Sequence, residues 1–130
     1  MKSIFLFLGA ISALIGVGMG AFGAHGLKSI LNPELMAIYQ TGVTYQMWHA
    51  LGLIGIAIMR HQNPVSKLLS WAGWLMFIGI ILFSGSLYFL ALTQSVWLGM
   101  ITPIGGVSFL TAWSLISVYA AKKQQSKRYA

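Results

Sequence analysis

The residues able to do chemistry are few, and most fall between Ala21 and His49. That stretch holds His25 and His49, two of the three histidines, and Glu34, the one acidic side chain of the chain. Tyr39, Gly42, Gln46 and His49 follow at spacings of 3, 4 and 3, with Tyr45 alongside. At about 100° per residue these positions share a helix face about 80° wide. An imidazole, an amide and phenols on one face could hold a ligand through hydrogen bonds or hand on a proton.

The same inventory excludes several chemistries. Without Asp there is no Ser-His-Asp triad and no carboxylate pair. Without cysteine there are no disulfides, thiolate metal sites or cysteine nucleophiles. A metal site of two histidines and a glutamate needs His25, Glu34 and His49 to converge. Glu34 and His49 stand on one predicted helix, about 22 Å apart if it is straight, so no metal is expected. Haem between His25 and His49 fails on unequal depth, and no glycine pattern follows a strand to hold a nucleotide. No cofactor is expected. The lack of a mid-membrane carboxylate also argues against a cation–proton antiporter.

Composition says what must position these residues. Of 130 residues, 58% are hydrophobic and 7% charged, far from the quarter or so charged in a soluble domain. The fold class is therefore all-α, an integral membrane four-helix bundle forming one domain over 1–130. The spans are about 4–24, 36–59, 68–92 and 96–121, with a frayed basic tail at 122–130. The first apolar run imitates a signal peptide ending at Ala21-Phe22-Gly23. At 21 residues it exceeds a normal h-region and reads as an uncleaved span. Gly9, Ala13, Gly16, Gly20 and Ala24 form a small-residue ridge suited to close helix approach. Asn32-Pro33-Glu34 is a helix start: Asn caps, Pro fits the first position, and Glu meets the positive dipole end. The first two turns of this second helix form an amphipathic, interfacial extension. Pro103, followed by Gly105 and Gly106, predicts that span four kinks or opens locally, with these residues as hinge or packing positions.

Four spans place Lys2, Arg60, Lys67, Lys122, Lys123, Lys127 and Arg128 on one side and only Lys28 on the other. The positive-inside rule then predicts both termini in the cytoplasm (N-in/C-in) of a bacterial cytoplasmic membrane. The bilayer is the principal partner, and the tail is suited to anionic lipid. The net charge of +7 lies at helix ends rather than along a stripe, so no nucleic-acid partner is expected. The Gly16/Gly20 ridge could serve a homo-oligomer or a partner membrane protein, or be consumed within the monomer.

A rise of about 1.5 Å per residue from the charged end gives depths. Tyr45 and Gln46 lie at about 21–23 Å, Ser84 to Ser86 at about 25–28 Å, Thr102 at about 30 Å and His25 at about 34 Å. His49 is nearer the midplane, at about 16 Å. Polar groups of all four spans thus gather in the outer half. One reading is an outer-half cleft binding a lipid, small amphiphile or partner helix through His25, Tyr45, Gln46, His49, Ser84, Ser86, Tyr88 and Thr102. The plainer reading makes the serines, Thr102 and the glycines packing elements. The protein is expected to be non-enzymatic. The alternative is a small oligomeric transporter or channel in which His49 is protonated.

Four motifs in order carry a family resemblance over essentially the whole chain. They are Ala21-Phe-Gly-Ala-His-Gly-Leu27, Tyr45-Gln46 with His49-Ala-Leu51, Phe83-Ser-Gly-Ser-Leu-Tyr88, and Thr102-Pro-Ile-Gly-Gly106 with Trp113. The chain resembles small bacterial inner-membrane proteins of the YgdD/YwdK type, a domain-of-unknown-function family. The resemblance implies a compact four-helix membrane protein and no established enzymatic activity. Ala112 stands where the family pattern has Gly.

Overall fold

A computed structural model describes residues 3–129, so Lys2, counted above on the charged side, lies outside the described residues. Helix α1 runs Ile4–His25, α2 Pro33–Gln62 and α3 Lys67–Gly79. A π-helical turn, Ile80–Ser84, joins α3 to α4, Gly85–Thr93; a 3₁₀ turn, Val96–Met100, leads into α5, Thr102–Tyr129. Among the described residues there is no strand, and four helical stretches are long and apolar enough to cross a membrane.

Helices α1, α2 and α3 each start where the sequence supplies an acceptor for the free N–H groups. Ser3 caps α1 by accepting from the Leu6 amide at 3.2 Å, and Ser66 caps α3 through Leu69 at 3.3 Å. Asn32 caps α2 through Leu35 at 2.8 Å, with Pro33 opening the helix and Glu34 in its first turn. Asn32→Ala should cost about 1 kcal/mol, measured as a lower midpoint of denaturant-induced loss of helicity in detergent. The chain reverses after α4 at Gln94, whose left-handed φ of 58° lets its N–H reach the Leu90 carbonyl at 2.8 Å.

In lipid, burial of apolar surface drives helices together only weakly, and close packing and hydrogen bonds do the work. The α1 span shows this, with only 22% of its apolar window buried inside the bundle. Its buried seam is Phe5, Gly9, Ser12, Gly16 and Gly23, which lies on α2. A Cβ on Gly9 would come within 2.9 Å of the Ala50 carbonyl, and one on Gly16 would strike Met47. The predicted ridge is thus partly right. Gly16 is consumed inside the monomer, whereas Gly20 only brushes Val43 at an ordinary 3.5 Å. A second seam joins α3 and the π turn to α5, where Ser108 donates to the Leu75 carbonyl at 2.5 Å. Helix α2 bridges the two seams, and α1 barely touches α3.

The core at the charged end is apolar, built from Phe5, Leu53, Ile56, Leu69, Ala72, Met76 and Tyr119 among others. Trp71 is exposed near the start of α3, and Trp74 meets Phe5 edge-on at 5.4 Å.

The local opening expected at Pro103 falls just before it: a 3₁₀ turn and Ile101 precede α5, and Pro103 is the second residue of that helix, where its missing N–H leaves no bond unmade. One expectation is corrected: the tail is not frayed. Helix α5 continues through Lys122, Lys123, Lys127 and Arg128 to Tyr129, a run containing no helix breaker.

Candidate functional site

The polar residues of the predicted cleft do converge, but mostly on one another. The Gln46 amide donates to the Ser12 carbonyl of α1 at 2.8 Å and accepts from the Tyr88 hydroxyl of α4 at 2.6 Å. One side chain of α2 therefore ties three helices, and both ends of its amide are satisfied. The Ser84 hydroxyl, fully buried, donates to the Gly42 carbonyl at 2.6 Å. Gly42 permits this approach, because a Cβ there would press on Tyr88. Ser86 donates to the Phe83 carbonyl at 2.9 Å, and the Ser86 and Thr102 hydroxyls are bonded to each other at 2.6 Å. Tyr39, fully buried, donates to the Met19 carbonyl at 2.5 Å and packs against Tyr88.

His49 is held just as completely. Its Nδ1 lies 2.6 Å from the Tyr45 carbonyl, which can only accept, and its Nε2 lies 3.0 Å from the Trp113 indole nitrogen, which can only donate. The pattern fits one species, the neutral ring with its proton on Nδ1. A proton on Nε2 would face the indole N–H, donor against donor. Phe109 stacks on the ring at 3.5 Å between centroids, and Tyr45 flanks it at 6.0 Å. Trp113→Phe removes the donor and leaves Nε2 unpaired. We expect a loss of about 1 kcal/mol, read as a lower melting temperature in detergent, with helicity unchanged below the transition.

His25 does not join the cluster. It is exposed at the C-terminal end of α1, where an imidazole meets the negative end of the dipole. Glu34 is exposed at the start of α2. Among the described residues no three histidine, cysteine or acidic side chains gather to hold a metal.

Of the two glycines expected to serve as hinge or packing positions in span four, Gly105 packs closely and Gly106 does not. Gly105 is buried against Phe83, where a Cβ would overlap the Phe83 backbone nitrogen. Gly106 has only the far edge of the Phe83 ring at 4.0 Å. Gly105 is the close backbone approach of α5 to the π turn, which Phe109 also reaches by packing on Phe83.

Beside this locked cluster lies an apolar groove of about 500 Å³. Ile11 and Ile15 of α1 form one wall, and Ile81, Leu82 and Gly85, of the π turn and the start of α4, form the other. Gln46 and Ser86 lie at its base, and Leu98 and Ile101 contribute at its outer end. The groove exists because α1 packs on α2 while the π turn packs on α2 and α5, leaving a gap between the two pairs. Ile15, Ile81 and Phe89 are exposed, so it opens sideways toward lipid. Its walls, from Ile11 at about 14 Å to Gly85 at about 27 Å from the charged end, lie within hydrocarbon. Among the polar residues named from sequence, Gln46, Ser86 and Tyr88 line it. Tyr45, His49, Ser84 and Thr102 are not among its lining residues. The apolar lining and Trp113 were missed: isoleucines in a span resemble ordinary lipid-facing residues, and Trp113 lies 64 positions from the ring it bonds.

Residues 19–106 match the family described as Protein of unknown function (DUF423). The chain is similar to the UPF0382 membrane protein SERP0230 of Staphylococcus epidermidis, at 50% identity covering 92% of this chain and 96% of the relative. It is equally similar to the UPF0382 membrane protein YwdK of Bacillus subtilis, at 50% identity over 92% and 97% of the two chains. A third relative, the UPF0382 membrane protein SSP2132 of Staphylococcus saprophyticus, is 47% identical over 88% and 94%. No solved structure matches.

Proposed function

The chain belongs to the DUF423 family, and from that premise we propose a non-enzymatic membrane protein that binds the acyl chain of a membrane amphiphile in the lateral groove. One observation carries the reading: an aliphatic gap of about 500 Å³ opening to lipid beside a fully committed polar cluster. The volume falls within the roughly 300–1,000 Å³ of small-molecule sites. A single helical turn about 10 Å across and about 5.4 Å high fills about 420 Å³, so a partner helix would find room for little more than one turn. A flexible hydrocarbon chain suits the shape better.

The π turn supports the same reading. Such turns occur often at functional sites, and this one forms a wall of the groove. Gln46, Ser86 and Tyr88 are bonded to carbonyl, amide and hydroxyl groups, none of them a base that could activate a nucleophile. They act as a rigid floor. His49, paired on both nitrogens, serves as a structural group rather than a proton carrier.

The basic ends of the helices support a cytoplasmic-membrane location with both termini inside, which puts the groove in the outer half of the bilayer. Native mass spectrometry after extraction in gentle detergent tests the function. The expected result is one retained acyl-bearing molecule per protomer whose retention is insensitive to headgroup charge. Protein stripped of every such molecule after repeated gentle extraction would count against the groove.

A further inference from the structure

A second cavity, of about 970 Å³, lies at the other end of the bundle, between the start of α1 and the end of α2. Ile4, Phe7, Ala57 and Ile58 form its apolar walls, and Arg60 and His61 its charged end. Phe7 is 63% and Ile58 59% exposed, so the bundle leaves this wall uncovered.

Arg60 lacks an anion. Its Nε is buried with no hydrogen-bond partner, and one terminal nitrogen reaches only the Pro64 carbonyl at a long 3.4 Å. The guanidinium lies 5.4 Å from the Phe5 ring centre, which fixes its plane beside the cavity. The chain's one acidic side chain, Glu34, stands at the opposite end of α2, about 39 Å away. No side-chain carboxylate of the chain can therefore pair with Arg60. The α1 N-terminus, with no acid in its first turn, adds the positive end of a helix dipole at the same place.

We propose that this cavity binds an anionic glycerophospholipid, with its phosphate on Arg60 and His61 and an acyl chain along Phe7 and Ile58. A planar guanidinium suits phosphate oxygens, and the apolar wall beside it gives a chain-bearing phosphate an advantage over inorganic phosphate. The site is separate from the lateral groove in residues and depth, and it selects by charge where the groove does not.

The test is native mass spectrometry of the full-length protein reconstituted in vesicles of mixed phosphatidylglycerol and phosphatidylcholine, then released in gentle detergent. The expected result is retention of phosphatidylglycerol about tenfold or more over phosphatidylcholine. Arg60→Gln should abolish that preference, and Arg60→Lys should keep part of it. If Arg60→Gln does not fold, Ile58→Trp, which fills the wall at an exposed position, should bring the same loss. Gly85→Phe, which fills the lateral groove, should leave the preference unchanged, so the two sites fail separately. Equal retention of both lipids by the wild type would overturn the proposal. So would loss of the preference in a Lys123→Gln/Lys127→Gln variant but not in Arg60→Gln, or equal occupancy by inorganic phosphate alone.

Discussion

Gly105→Val is expected to destabilise the protein by about 3 kcal/mol or more, enough to threaten folding. The reason is backbone against backbone. A Cβ at this position overlaps the Phe83 amide nitrogen and comes within 2.8 Å of the Phe83 Cα. No rotamer change relieves that, because neither atom belongs to a side chain. The helices must separate, and separation strains the π turn and the Ser108–Leu75 bond of the same seam. Gly106→Ala, one residue on, is the control: its added methyl finds one ring atom at 4.0 Å, and alanine favours the helix by up to about 1 kcal/mol. Unfolding titrations of both variants in bicelles should diverge in sign. A Gly105→Val protein as stable as wild type would mean that α5 is not seated on the π turn.

Gly85→Phe should do the reverse, sparing the fold and removing the ligand. A Cβ at Gly85 meets nothing within 4 Å, and the residue lines the lateral groove. The benzyl group enters the space proposed for an acyl chain, touching none of the bonds of Gln46, Ser84 or Tyr88. Stability should hold or rise slightly, since glycine is a poor helix residue. Retention of an acyl-bearing molecule should fall by about tenfold or more, because a filled groove leaves little room for the chain. Wild-type retention in a folded Gly85→Phe protein would place the bound molecule elsewhere.

How much of this could be read from the residues depends on whether the signal was local. The helix start at Asn32 is local chemistry, and the structure has it with Pro33 and Glu34 in place. The four apolar stretches are equally local, because a span must satisfy its own backbone. That Gln46, Ser86, Tyr88 and Thr102 lie at similar heights along the bundle followed from rise alone, and they meet in pairs, Gln46 with Tyr88 and Ser86 with Thr102.

What stayed hidden was non-local or degenerate. In Ile80-Ile-Leu-Phe every face is apolar, so periodicity cannot tell an i→i+5 turn from an α-turn. Pro103 suggested a kink because the 3₁₀ turn before it could not be told from the start of a longer helix. Partnership was hidden as well. Gln46, His49, Ser84, Ser86, Tyr88 and Thr102 looked free for a ligand, whereas each had found another helix. That changes the chemistry of the region from polar recognition to an apolar groove on a polar scaffold.

The central claim, that the groove between α1 and the π turn holds an acyl chain, is tested most directly by photo-crosslinking. Reconstituted protein would be irradiated with a phospholipid bearing a diazirine near the middle of its acyl chain, and the labelled peptides mapped. The account predicts labelling concentrated on Ile11, Ile15, Ile81 and Leu82, and lost in Gly85→Phe. Labelling spread evenly over the lipid-facing Leu14, Val17, Val107 and Leu110, with no excess in the groove, would contradict it.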